Sequence, residues 1–168
     1  MNFFQYCPQC GFKVNKECFQ KNVFSCPQCH CKQYFNPKPV VLAFIRSGNE
    51  IILAKRGIRP YKGYWGMPGG FVNYGESPEA ALHRELKEEL GVKKCKINKM
   101  LATYHEWYVF GKERLSLNVT IFQVSLSPGS ILQSGDDAAE IGKFPLRSLP
   151  PRIAFPGQRR FFSDLTKR

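Results

Sequence analysis

Hydrophobic and polar positions along the 168-residue chain fall into distinct regimes. Up to about residue 36 there is little aliphatic material, and six of the seven cysteines lie there. From Val40 to Ile45 the apolar residues run without a break, as in a buried strand. Ser47-Gly48-Asn49 supplies turn chemistry, and residues 50–56 read as the returning strand. Residues 57–76 hold six glycines and two prolines and predict a loop. A helix follows over 77–90, with Ser77 as N-cap, Pro78 at the first helical position and Gly91 just past the end. Residues 98–108 and 114–126 are strand-like, and Leu115 to Ile121 alternates as a half-buried strand does. Residues 127–138 predict a polar loop. Residues 158–167 predict a short terminal helix with Phe161, Phe162 and Leu165 inward.

Asn36-Pro37-Lys38-Pro39 reads as a stiff linker, because each proline restrains itself and its predecessor. The expected division is residues 1–36 and residues 37–168. The first segment carries Cys7-Pro8-Gln9-Cys10-Gly11 and Cys26-Pro27-Gln28-Cys29 with fifteen residues between them. That spacing predicts a closed four-thiolate site for one structural Zn²⁺, a zinc ribbon. His30 and Cys31 flank the second pair, and flanking is the simpler reading of both. Cys18 and Cys95 read as ordinary apolar residues. So short a segment buries little core, and metal would supply most of its folding free energy.

The formal net charge is +12, or about +10 with four thiolates and one Zn²⁺. A basic surface suits polyanions, and it also serves plain solubility. No signal peptide or membrane span is visible, so the expectation is a soluble, cytoplasmic protein with reduced cysteines.

The predicted helix carries Arg84-Glu85-Leu86-Lys87-Glu88-Glu89-Leu90. Glu85, Glu88 and Glu89 share one face, beside an apolar stripe of Leu82, Leu86 and Leu90. Carboxylates so close repel each other unless cations hold them, and oxygen donors suit Mg²⁺ or Mn²⁺. Alone, the three glutamates would read as a solvated face. Their surroundings change the balance: Gly70, Glu76, Arg84-Glu85-Leu86, Glu88-Glu89 and Gly91-Val92 match every position of the Nudix box, and Trp65 to Gly70 is similar to the segment leading into it.

Over residues 38–150 the chain therefore resembles the Nudix hydrolases. The resemblance implies an α/β/α sandwich on a mixed sheet, with the box as a loop–helix–loop. It implies hydrolysis of a nucleoside diphosphate linked to another group. By position, Glu85, Glu88, Glu89 and the carbonyl of Gly69 resemble metal ligands. Arg84 and Glu76 resemble the pair that braces the loop, with Gly70 and Gly91 structural. Glu140 resembles a later glutamate that joins the metal or serves as base. Glu85 and Glu140 both remain candidates for the base. Lys55 and Arg56 are candidates for phosphate, or ordinary surface charge. Trp65 and Tyr108 are candidates for stacking on a base, with core packing the commoner role.

A ribbon joined to such a domain resembles two groups. NADH pyrophosphatases carry a Ser-Gln-Pro-Trp-Pro-Phe-Pro segment that this sequence lacks. The junction at 36–41 and the closing Leu149 to Phe155 resemble shorter ribbon-bearing hydrolases of ADP-ribose or FAD. The expected substrate is thus a small dinucleotide-like molecule. NADH, diadenosine polyphosphates and an RNA- or protein-binding role on the same scaffold are the alternatives. A homodimer is compatible with the sequence.

Overall fold

The computed structural model describes residues 4–111, 113–135 and 138–167. The chain forms two compact units, Met1–Pro37 and Lys38–Arg168. The predicted polar loop 127–138 includes positions 136 and 137, which lie outside the described residues. Among the described residues, no helix is long and apolar enough to cross a membrane.

The first unit is a three-stranded antiparallel sheet, β1 (Phe19–Gln20), β2 (Val23–Ser25) and β3 (Lys32–Tyr34), beside two cysteine turns. Its apolar centre is the fully buried Phe24. Phe4 meets Phe24 edge-on at 4.7 Å, and Phe19 and Phe35 complete the cluster.

The second unit is built on a mixed sheet of β4 (Lys38–Ser47), β5 (Glu50–Arg56), β6 (Trp65–Gly66), β7 (Cys95–Phe110), β8 (Glu113–Leu126) and β9 (Ala138–Pro145). Hydrogen-bonded neighbours run β6-β5-β4-β8-β7, and β9 pairs with β5. β4 and β8 are parallel, and the other pairs are antiparallel. Helix α1 (Pro78–Leu90) covers one face and α2 (Pro156–Thr166) the other. Alternation along the strands sorts the core. Val41, Ala43 and Ile45 pack with Leu82, Leu86 and Leu90 of α1. Val40, Leu42 and Phe44 pack with Phe162 and, at the edge, Phe161 and Leu165 of α2. The expected α/β/α sandwich on a mixed sheet is the observed fold.

Several boundaries move. Lys38 and Pro39 belong to β4 rather than to a linker, in register with Leu117 and Asn118. Pro39 accepts a hydrogen bond from Val72 N–H at 3.0 Å. Within a strand a residue's N and C=O point to the same side, so the missing proline N–H also faces Val72 and no bond to β8 is lost. The expected loop 57–76 contains β6, and the terminal helix begins two residues early, at Pro156. Strand β9 has no strand signal of its own: in Ala138 to Pro145 only Ala138 is buried, and its pairing with β5 organises it.

β4 and β5 pair only over Ile45–Ser47 and then part. The gap is filled by residues 68–72. Val41 N–H donates to Gly70 O at 2.9 Å and Ala43 N–H to Pro68 O at 2.8 Å. The glycine-rich loop is thereby bonded to the central strand as a further strand would be.

Candidate active site and cysteine centre

Helix α1 holds the glutamates in place. Ser77 Oγ accepts from Ala80 N–H at 3.1 Å, and Gly91 ends the helix at φ 69°. Leu82, Leu86 and Leu90 are fully buried, which fixes the helix rotation and leaves Glu85, Glu88 and Glu89 along its border.

Arg84 organises that border. Its Nε and Nη2 each donate to a Glu76 oxygen at 3.0 Å, a bidentate pair. Nη2 also donates to Phe71 O at 2.9 Å, which ties the loop to the helix. Nη1 donates to Glu85 at 2.8 Å and to Glu88 at 3.0 Å. Glu76 is held below its usual range by the Arg84 hydrogen bonds and by Asn73 N–H. The Arg84 guanidinium is stabilised as a cation, chiefly by Glu76. Glu85 goes the other way: burial raises it, and the charges of Glu88 and Glu76 add to that, against the pull of Arg84.

The loop glycines admit this arrangement for want of side chains. A Cβ on Gly69, at φ +136°, would lie 2.1 Å from Val41 O. One on Gly70 would lie 2.5 Å from Glu85 Oε1. Gly69 N–H donates to Glu89 Oε2 at 2.9 Å.

Glu85, Glu89, Gly69 and Gly70 open onto a pocket of about 480 Å³. Leu115, Leu117 and Val119 of β8 are part of its apolar wall. Arg56, Tyr108 and Phe155 also line it, Tyr108 stacked on Phe155 with centroids 5.9 Å apart. Phe155 has φ 57° and Tyr61, edge-on against it at 5.0 Å, has φ 63°. Both are uncommon for bulky residues, and this aromatic packing holds them.

Not every expected residue converges here. Glu88 does not line the pocket and is bound to Arg84. Trp65 packs edge-on against Phe144 at 4.7 Å, beneath Lys55, and is absent from the lining. Glu140 stands across the sheet from Lys55, and the two form an ion pair at 2.9 Å outside the lining. Arg56 donates from Nε to Pro60 O and lies 5.0 Å over Phe155. Phe155 and Gln158 line the pocket without any local sign in the sequence. They arrive from the far end of the chain, and only tertiary packing places them.

In the first unit, the sulfurs of Cys7, Cys10, Cys26 and Cys29 all lie within 4.8 Å of one another. Cys7–Cys29 is 3.7 Å and Cys10–Cys26 is 3.6 Å. A tetrahedral Zn²⁺ with bonds of about 2.3 Å needs edges of roughly 3.8 Å. Gly11 at φ 73° and His30 at φ 59° occupy equivalent turn positions, and each donates its N–H to the first cysteine carbonyl of its knuckle at 3.0 Å. His30 and Cys31 thus flank the cluster. Cys7 is drawn down to about 7: burial opposes its ionisation, and the N–H groups of Cys10 and Gln9 prevail. Cys29 is pushed up to about 12: the Cys31 N–H favours its thiolate, but burial and the neighbouring sulfurs outweigh it. A divalent cation would remove that mutual opposition, so the donor set fits zinc. Among the described residues, this is the one group of three or more potential ligands gathered so closely. The glutamates are less convergent, because Arg84 occupies Glu85 and Glu88 while Gly69 occupies Glu89.

The sandwich and its glutamate-bearing loop–helix–loop define a class of α/β hydrolase, and comparison with known proteins gives the family. The model of the NUDIX domain matches residues 36–165. The chain is 36% identical over 126 residues to the ADP-ribose pyrophosphatase of Methanocaldococcus jannaschii, covering 75% of this chain and 72% of that protein. It is 30% identical over 161 residues to the NAD-capped RNA hydrolase NudC of Pseudomonas aeruginosa, covering 96% of this chain but 55% of that protein. The crystal structure of a NUDIX hydrolase from Nitrosomonas europaea superposes with a TM-score of 0.77 at 27% identity, covering 98% of this chain and 93% of that one. The chain belongs to the Nudix hydrolase family.

Proposed function

We propose that the chain hydrolyses the pyrophosphate of a nucleoside diphosphate joined to another group, with ADP-ribose or an FAD-like dinucleotide as substrate. The observation that carries this reading is the pocket itself. Its apolar wall suits the flat face of a heterocycle, and its polar end places Glu85 and Glu89 beside the two loop glycines.

Glu85, Glu88, Glu89 and the carbonyl of Gly69 would hold Mg²⁺ or Mn²⁺. Their donors are all oxygen, and Glu85 is raised first by burial and then by the charges of Glu88 and Glu76, both of which a bound cation would offset. Held by these residues, such a cation would supply neutralisation of phosphate charge and a more acidic water. The protein's own part is to orient and to accept a proton. Glu85 is the better candidate for general base than Glu140, because it lines the pocket and Glu140 does not. Arg84 is a positioning residue that holds Glu76, Glu85 and the loop carbonyl together. Arg56 would meet phosphate, and Tyr108 with Phe155 would bound the ring. The ribbon, over residues 1–36 with the catalytic domain over 37–168, would hold one structural Zn²⁺ on Cys7, Cys10, Cys26 and Cys29. Four thiolates on one ion suit the reducing cytoplasm, where we place the protein.

A second substrate reading, the NAD moiety free or at an RNA end, is favoured by the match to NudC across nearly the whole chain. Purified protein with Mg²⁺ or Mn²⁺ is to be assayed on ADP-ribose, FAD, NADH, diadenosine polyphosphates and NAD-capped RNA, scoring monophosphate release. ADP-ribose or FAD is expected to turn over fastest. Glu89→Gln is expected to lower that kcat by roughly 10²- to 10³-fold, the scale for losing one charge-stabilising group, with an unchanged melting curve. Turnover of none of the five would end the proposal.

A further inference from the structure

Gln158 is 2% exposed, one of two buried polar or charged side chains among the described residues. It lies in the first turn of α2 and reaches across the molecule to the loop before the box. Met67 N–H donates to Gln158 Oε1 at 2.8 Å. Gly66 leaves room for the amide, since a Cβ there would lie 3.1 Å from Oε1. This bond decides which way the amide faces. A backbone N–H requires an acceptor, so the oxygen must stand against Met67 and the NH₂ group must point elsewhere. Gln158 lines both the 480 Å³ pocket and a small adjoining cavity of about 40 Å³. No hydrogen bond from Nε2 to a described residue accompanies the one at Oε1. Among the described residues, Tyr104 Oη is the one buried side-chain oxygen or nitrogen without a partner. With its oxygen taken by Met67, the amide has only N–H groups left to offer, on a side chain that lines both the pocket and the small cavity beside it.

We propose that Gln158 Nε2 is a specificity-determining donor, which takes an acceptor atom of the substrate's heterocycle, a ring nitrogen or ring carbonyl. The inference rests on the hydrolase reading above and deepens it. The negative end of a pyrophosphate is served by the glutamate border and its cations. Tyr108 and Phe155 offer faces to a ring but read no edge. Gln158 supplies the edge contact. Because its oxygen is already used, it donates and does not accept, so it favours a ring edge bearing an acceptor over one bearing N–H. A donor held beside an apolar wall discriminates well, since an unsuitable ligand leaves it unpaired.

Two variants separate this role from a structural one. Gln158→Glu keeps an oxygen for Met67 N–H and loses the donor. Gln158→Met loses both without adding charge. Full-length wild type and variants are titrated calorimetrically with AMP, which has the ring, and with ribose 5-phosphate, which lacks it. Both variants are expected to bind AMP about tenfold more weakly, the worth of one well-placed hydrogen bond, and ribose 5-phosphate as the wild type does. Gln158→Glu buries a carboxyl and is expected to melt below the wild type, so the titrations are run at a temperature where every variant is folded. Undiminished AMP affinity in Gln158→Glu overturns the proposal. So does parallel loss of both ligands in the two variants, which would put the donor on phosphate or in the fold. Wild-type turnover of ADP-ribose in the same preparation separates these failures from failure of the hydrolase reading.

Discussion

Arg84 is where several local demands meet. One guanidinium closes a bidentate pair with Glu76, holds the Phe71 carbonyl, and spans Glu85 and Glu88. Two carboxylates on this one side chain are perturbed in opposite directions, Glu76 down and Glu85 up. The Glu76 shift has a consequence for stability. A carboxyl lowered by folding binds fewer protons in the native state at moderately acid pH, so it stabilises the fold above its unfolded value. That contribution disappears as pH falls through the lower, folded value. Glu76→Gln removes the titration. Denaturant midpoints should show the variant less stable at neutral pH, with the difference closing as pH drops below about 4.5. A constant difference across that range would contradict the assignment.

At the scale of elements, the two helices are capped differently. α1 carries its own signals. Ser77→Ala should cost about 1 kcal/mol, read as a melting point lower by roughly 2–4 °C. No change would mean that the Ala80 N–H finds another acceptor. α2 has no side-chain cap of its own, because Phe155 stands at its N-cap. Glu106 of β7 supplies one, accepting from Gly157 N–H at 2.9 Å. That contrast explains what could be read from the chain alone. Ser77, Pro78 and Gly91 act within a few residues of themselves, so α1 and its glutamate face were legible. So were β4, β5 and the alternating β8. β9 and the extent of β7 were not, because long-range pairing defines them. Gln158 and Phe155 were missed as pocket residues for the same reason. Trp65 was one of the aromatic candidates, and β6 turns it onto Phe144 instead.

At the scale of the molecule, each of the two units is stabilised by its own physics. The second has two apolar layers and needs no metal to close its core. The first has a small cluster of aromatic rings and cysteines around Phe24. Cys10→Ser should therefore act locally. Zinc measured by mass spectrometry is expected to fall from one per chain toward none, and limited proteolysis should open residues 1–37 while 38–168 resists. Full zinc occupancy in the variant would mean that another side chain, His30 or Cys31, completes the site.

The stretch that carries Gly69 and Gly70 is not an ornament on a finished sheet. It fills the space where β5 leaves β4, bonded through Val41 and Ala43. Loosening it to gain mobility would expose main-chain groups in the middle of the molecule, and the cost would be felt by the core. Adaptation in such a protein has freer play in the exposed lining around Ile58 than in this glycine-bearing segment. On this scaffold, substrate preference can drift while the hydrolytic apparatus stays fixed.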